Sequence, residues 1–83
     1  MRVRVRLFAR ARDLAQASSV TLDLPEGATV GQLRRRLGEA QPALAALLER
    51  SALAVNDEFA EDKMAVPAGA EIALLPPVSG GTA

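Results

Sequence analysis

The run Glu71-Ile72-Ala73-Leu74-Leu75, together with the eight residues after it, restricts the fold more than any other part of the chain. Its stretch from Ile72 is apolar almost throughout, as expected of a central strand. Ile72 and Leu74 fall on one face and Leu75 on the other. Directly afterwards come Pro76-Pro77-Val78-Ser79-Gly80-Gly81-Thr82-Ala83. Proline has no amide hydrogen to give a sheet and holds φ near the extended region, so the chain must leave the sheet here as a stiff arm. Two glycines without side chains then make a slim tip that fits a narrow slot. The fold must therefore bury its last strand and still release its end. The reactive group favoured by this arrangement is the carboxyl end of Gly81, once exposed, with partner enzymes performing chemistry on it.

The opposite end alternates strictly. Arg2-Val3-Arg4-Val5-Arg6-Leu7 places Val3, Val5 and Leu7 on one face and the arginines on the other, which is a half-buried strand. Phe8 breaks the alternation by falling on the arginine side. Ala9 to Ser19 reads as a long connection containing a turn of helix, and Val20-Thr21-Leu22-Asp23-Leu24 alternates again. A connection of that length favours an antiparallel hairpin over a crossover, which needs a full helix.

After the turn Pro25-Glu26-Gly27, the run Thr29-Val30-Gly31-Gln32 has the spacing of a capping box and predicts a helix from Val30 to about Glu39. Val30, Leu33, Leu37 and Ala40 form its buried stripe, while Arg34, Arg35 and Arg36 read mostly as its wet face. Pro42 restarts the chain as a second short helix, with Leu44, Leu47 and Leu48 inward. Leu53-Ala54-Val55-Asn56 is a short strand ended by the Asn56-Asp57 turn signal. Glu58 to Val66 is irregular or carries a small edge strand, with Met64 and Val66 as core fillers, and Val66 to Ala70 forms a turn. The order is that of an α+β, ubiquitin-like β-grasp: a mixed sheet of four to five strands packed on one main helix, its first and last strands side by side in the middle. Residues 1–75 are expected to form a single β-grasp domain and residues 76–83 a flexible C-terminal tail.

Composition narrows the function. Among 83 residues there is no Cys and no His, which removes thiol nucleophiles, disulfides, Cys/His metal sites and imidazole bases together. A self-sufficient enzyme is not expected, nor a bound metal. No apolar run approaches the length of a membrane span, and the first residues do not form a signal-peptide core, which points to a cytoplasmic protein. Ten basic and ten acidic residues cancel. Met1 to Arg36 carries eight basic and three acidic residues, and Leu37 to Ala83 two and seven, a division that suits steering between proteins if the fold keeps the halves apart.

Four segments carry a family resemblance. Leu7-Phe8-Ala9-Arg10-Ala11-Arg12, Gly27-Ala28-Thr29-Val30-Gly31-Gln32-Leu33, Leu53-Ala54-Val55-Asn56 and above all Leu74-Leu75-Pro76-Pro77-Val78-Ser79-Gly80-Gly81 resemble the small subunits of molybdopterin synthase, within the ubiquitin-like sulfur carriers of the MoaD/ThiS family. The likeness spans nearly the whole chain. It implies a carrier whose terminal glycine carboxylate is adenylated with ATP by an E1-like activating enzyme and converted to a thiocarboxylate. The carrier then enters a larger subunit, where the sulfur passes to a pterin precursor to build the dithiolene of the molybdenum cofactor. The carrier itself binds no cofactor; ATP is used by the activating enzyme. The resemblance further implies that Phe8, Phe59 and Leu75 form an apolar patch for these partners, approached by Pro76, Pro77 and Val78, with Arg12 beside it. For Phe59 the alternative is packing under a loop, and for Arg10 and Arg12 simple solvation.

The tail chemistry agrees with that role on its own terms. A carboxylate is a poor electrophile, adenylation supplies a leaving group, and the carrier has only to present the group in position. Thr82-Ala83 departs from the family pattern, in which the second glycine ends the chain, so trimming by a C-terminal processing protease is expected. Three other readings stand beside this one. They are a carrier for thiamine thiazole, cysteine or tRNA thiolation, a ubiquitin-like protein modifier, and a small nucleic-acid-binding domain suggested by the arginines. Zero net charge and only two aromatic residues argue against the last.

Overall fold

The computed structural model describes residues 1–77. Val78, Gly80 and Gly81 of the arm, with the rest of residues 78–83, lie outside the described residues. The elements in chain order are β1 (Arg2–Leu7), α1 (Ala9–Ala15), β2 (Ser19–Asp23), α2 (Val30–Ala40), a 3-10 turn (Pro42–Leu44), α3 (Ala45–Leu48), β3 (Ala52–Val55), β4 (Glu58–Ala60) and β5 (Glu71–Leu75).

The strands form one mixed sheet in the order β2-β1-β5-β3-β4. β1 pairs antiparallel with β2 and parallel with β5, so the first and last strands lie side by side as the sequence predicts. In the parallel pair, Val5 stands opposite Ile72 and Leu7 opposite Leu74. Their inward side chains join Val3, Leu22 and Leu53 under the helices. α2 contributes Val30, Leu33 and Leu37 to the same core, and the short helical segments add Leu44, Leu47 and Leu48. The neighbours on each strand face the other way, so one side of the sheet is covered by helices and the other is open.

The capping box forms in full. The Gln32 amide donates to Thr29 Oγ1 at 3.2 Å, and the Thr29 amide donates to Gln32 Oε1 at 2.8 Å. The loop before β5 satisfies two more free amides of the same helix, with Val30 N–H donating to the Met64 carbonyl and Gly31 N–H to the Asp62 carbonyl, each at 2.8 Å. This wraps residues 61–66 around the start of α2.

Three sequence expectations are corrected. Ala40 is exposed, because α2 ends there and Pro42 turns the chain away before the stripe can continue. Met64 is 47% exposed rather than a core filler, since its backbone carbonyl is committed to capping α2 and its thioether lies over its own loop, accepting from the Glu61 amide at 3.4 Å. Val66 alone fills the core there. Arg34 is not solvated with Arg35 and Arg36. Its Nη1 donates to the carbonyls of Leu48 and, at 2.8 Å, Ser51, while Nε and Nη2 reach Asp62 Oδ1 at 3.2 and 3.0 Å. One guanidinium thus ties α2 to the end of α3 and to the capping loop. It also joins the basic half of the chain to the acidic half, so the two charge halves are interleaved here.

Candidate functional site on the open face of the sheet

The open face is built by the residues that alternate with the core. Across it, Arg6 of β1 stands opposite Ala73 of β5, Ala73 opposite Ala54 of β3, and Ala54 opposite Phe59 of β4. One step along, Leu75 is opposite Ala52. Ala52, Ala54 and Ala73 thus pave the middle of the face with methyl groups, flanked by larger apolar side chains. Neighbouring strands lie about 4.8 Å apart, which places Phe59 about 14 Å across the sheet from the β1 edge of this floor.

Phe59 is 76% exposed, so it does not pack under a loop. It projects from a three-residue edge strand onto the same side as Leu75. Phe8 is 36% exposed and follows β1 on the arginine side. Leu75 is half-buried. The structure therefore brings Phe8, Leu75 and Phe59 to one face, with the alanine floor between the first two and the third. Isolated exposed apolar residues are ordinary on a protein surface; these three, around a floor of small residues, make a continuous apolar patch.

Local backbone holds Phe8 there. Phe8 is the N-cap of α1 in an extended conformation, and the next residue, Ala9, has φ 51. That is the left-handed region, strained for alanine. The turn lets the chain pass from β1 into α1 at once, and α1 then docks Ala11 into the core. Arg10 and Arg12 project from α1 and are exposed, Arg12 in its last turn. Pro76 is half-buried and Pro77 exposed, so the described chain leaves β5 at the Leu75 end of this patch.

Two features of the face are not evident from the sequence taken segment by segment. The alanine floor is visible there only as the residues alternating with Leu53 and Val55 and with Ile72 and Leu74, a signal that needs the strand pairing before it means anything. The second is Arg6, whose guanidinium carbon lies 5.3 Å from the centroid of the Phe8 ring. A guanidinium at that distance over a ring face is attracted by its quadrupole. The signal is present in the spacing, because Arg6 and Phe8 occupy alternate positions and share a face.

Comparison with known proteins gives the face a context. A model of the ThiS family matches residues 5–81. The molybdopterin synthase sulfur carrier subunit of Chlamydomonas reinhardtii is 35% identical, the alignment covering 98% of this chain and 100% of that protein. Among solved structures, SAMP1 from Haloferax volcanii superposes with a TM-score of 0.87 at 34% identity, covering 98% of this chain and 100% of that one. A chain from the protein–protein complex of subunits 1 and 2 of molybdopterin-converting factor from Helicobacter pylori superposes with a TM-score of 0.69 at 27% identity, over 98% of this chain and 100% of that one.

Proposed function

This chain belongs to the ThiS family, and from that premise we propose that it acts as the sulfur carrier subunit of a molybdopterin synthase, with its open face as the docking surface and Gly81 as the point of sulfur attachment. The carrier role rests on full-length likeness to the molybdopterin synthase sulfur carrier subunits. The single observation that supports the docking surface is the shared face of Phe8, Leu75 and Phe59 around the alanine floor, set where β5 releases Pro76 and Pro77. A larger subunit is the first partner, as in the complex of the Helicobacter pylori relative.

The chemistry derives from the ending. A carboxylate oxygen of Gly81 attacks the α-phosphorus of ATP on an activating enzyme and pyrophosphate leaves; sulfur supplied at the sulfide level then attacks the acyl carbon, AMP leaves with that oxygen, and a thiocarboxylate remains. Any residues beyond Gly81 must first be removed, here Thr82-Ala83, so a processing protease belongs to the same pathway. The need for ATP supports a cytoplasmic setting; among the described residues no helix is long and apolar enough to cross a membrane. The carrier holds no cofactor of its own. Its part is positional: the core fixes β5, the two prolines stiffen the exit, and the glycines allow a partner to close on bare backbone.

The test is reconstitution. The chain ending at Gly81, mixed with the activating enzyme and ATP, releases pyrophosphate; a chain that still carries Thr82-Ala83 does not. Release from the longer chain, or none from the shorter, removes Gly81 from this role.

A second reading has its own support in the SAMP1 likeness, since that relative is named a small archaeal modifier protein. The same activated Gly81 could be passed to a lysine amine, forming an isopeptide bond and releasing AMP. Peptides from cell extracts carrying Gly81 on lysine side chains distinguish conjugation from sulfur transfer.

A further inference from the structure

The apolar patch occupies only part of the open face. Beyond it, β1 lays Arg2, Arg4 and Arg6 along the same side of the sheet, all exposed. Same-face residues of a strand are about 6.6 Å apart, so the three guanidinium roots span about 13 Å. They border a groove of about 230 Å³ completed by Gly69, Ala70 and Glu71. Arg2 is engaged with Asp23 at 3.6 Å. Among the described residues Arg4 and Arg6 form no ion pair, although Glu71 is opposite Arg4 in register.

The strip is not separate from the patch. Arg6 lies over the Phe8 ring, so its fork is held at the boundary between charge and apolar surface, and Ala73 connects it across β5 to the alanine floor. A guanidinium stacked on an aromatic ring has already lost much of its freedom and loses less on forming a bidentate bond to a carboxylate. Leaving Arg4 and Arg6 uncompensated under a docked apolar surface would be costly, because buried charges must be paired. A partner that covers Phe8 and Leu75 must therefore supply anions to their neighbours.

We propose that Arg4 and Arg6 form a carboxylate-recognising strip continuous with the Phe8–Leu75 patch, and that the large subunit of molybdopterin synthase presents acidic side chains to it. This rests on the docking reading above and adds the chemistry of the partner's surface. Two carboxylates about 6 to 7 Å apart, as neighbours along one face of a helix or strand, match the spacing of the arginines. A protein surface fits better than a nucleic acid. Asp23 and Glu71 stand beside the strip on its two neighbouring strands and would repel a continuous phosphate backbone, whereas a partner with discrete carboxylates avoids them.

The experiment measures affinity between this chain and the large subunit encoded in the same genome, across a range of salt concentrations, for the unaltered chain, Arg4→Glu/Arg6→Glu, Arg4→Gln/Arg6→Gln and Leu75→Glu. The charge reversal is expected to weaken binding by about tenfold or more, the neutral pair by less, and both to flatten the dependence on salt. All three side chains lie on the open face, so each variant should remain folded, with melting lowered least in the Gln pair and somewhat more in the Glu pair, where Arg4→Glu faces Glu71. The Gln pair therefore reads the strip apart from stability. Unaltered affinity and salt dependence in both arginine pairs, with binding lost in Leu75→Glu, overturns the strip and leaves the docking reading intact. Unaltered affinity in Leu75→Glu as well removes the docking reading itself. A second arm uses polyuridylate and duplex DNA: salt-sensitive binding to either that disappears in Arg4→Glu/Arg6→Glu overturns the protein partner in favour of nucleic acid.

Discussion

Leu74 and Leu75 are consecutive in the chain and face opposite sides of the sheet: Leu74 is fully buried beneath the helices, and Leu75 is half-exposed on the open face. Structure and proposed function are thereby separated at one peptide bond. Leu74→Ala opens a cavity in the core opposite Leu7 and Leu53, and is expected to cost about 2–5 kcal/mol in a urea titration. Leu75→Ala should cost much less stability and yet weaken association with the large subunit. Equal losses of stability in the two variants would contradict the division of the faces.

The Arg34 clamp makes a different prediction. Its side chain is mostly buried and serves two main-chain carbonyls and Asp62 at once. Arg34→Met keeps the stem and removes every donor, leaving the Leu48 and Ser51 carbonyls without it, and should lower stability by about 1.5–3 kcal/mol. Asp62→Asn, at a side chain more than half exposed, should cost no more than about 1 kcal/mol. Hydrogen exchange supplies the check. The amides of Val30 and Gly31 should exchange faster in Arg34→Met, because the loop that accepts from them is released.

The β3–β4 hairpin is joined by Asn56 and Asp57, with φ values of 51 and 69. Two residues in the left-handed region make the tight turn whose preferred sequence is Asn-Gly. Asn56 belongs there: its side-chain oxygen accepts from the Glu71 amide at 3.0 Å. Asp57 has no such bond among those described, and Asp57→Gly should raise stability by about 0.5–1 kcal/mol. Chemical denaturation measures the shift; a loss of stability would contradict this origin of the turn.

How much of the fold is legible in the chain depends on how locally each feature is determined. The alternation from Arg2 to Leu7 and the capping box at Thr29 and Gln32 are set by neighbours a few residues apart, and both are found as the sequence predicts. The apolar run at Ile72 already demands a central strand. Features settled by distant partners are less accessible. Nothing near Arg34 in the sequence announces the carbonyls of Leu48 and Ser51 or the Asp62 carboxylate, and nothing near Met64 says that its backbone will cap a helix starting at Val30. The site divides in the same way. Phe8 and Leu75 are marked by breaks in periodicity, whereas the exposure of Phe59 and the alanine floor emerge only from the register of four strands.

The central claim is that this fold exists to present the carboxyl end of Gly81 for sulfur. Intact-mass measurement tests it most directly, using the chain ended at Gly81 and the chain continued through Ala83, each incubated with the activating enzyme, ATP and a sulfur donor. The shorter chain is expected to gain the mass of one oxygen exchanged for one sulfur, and the longer chain to remain unchanged until Thr82-Ala83 is removed. A shorter chain that gains no sulfur, or a longer chain that gains it while still ending at Ala83, would contradict the claim.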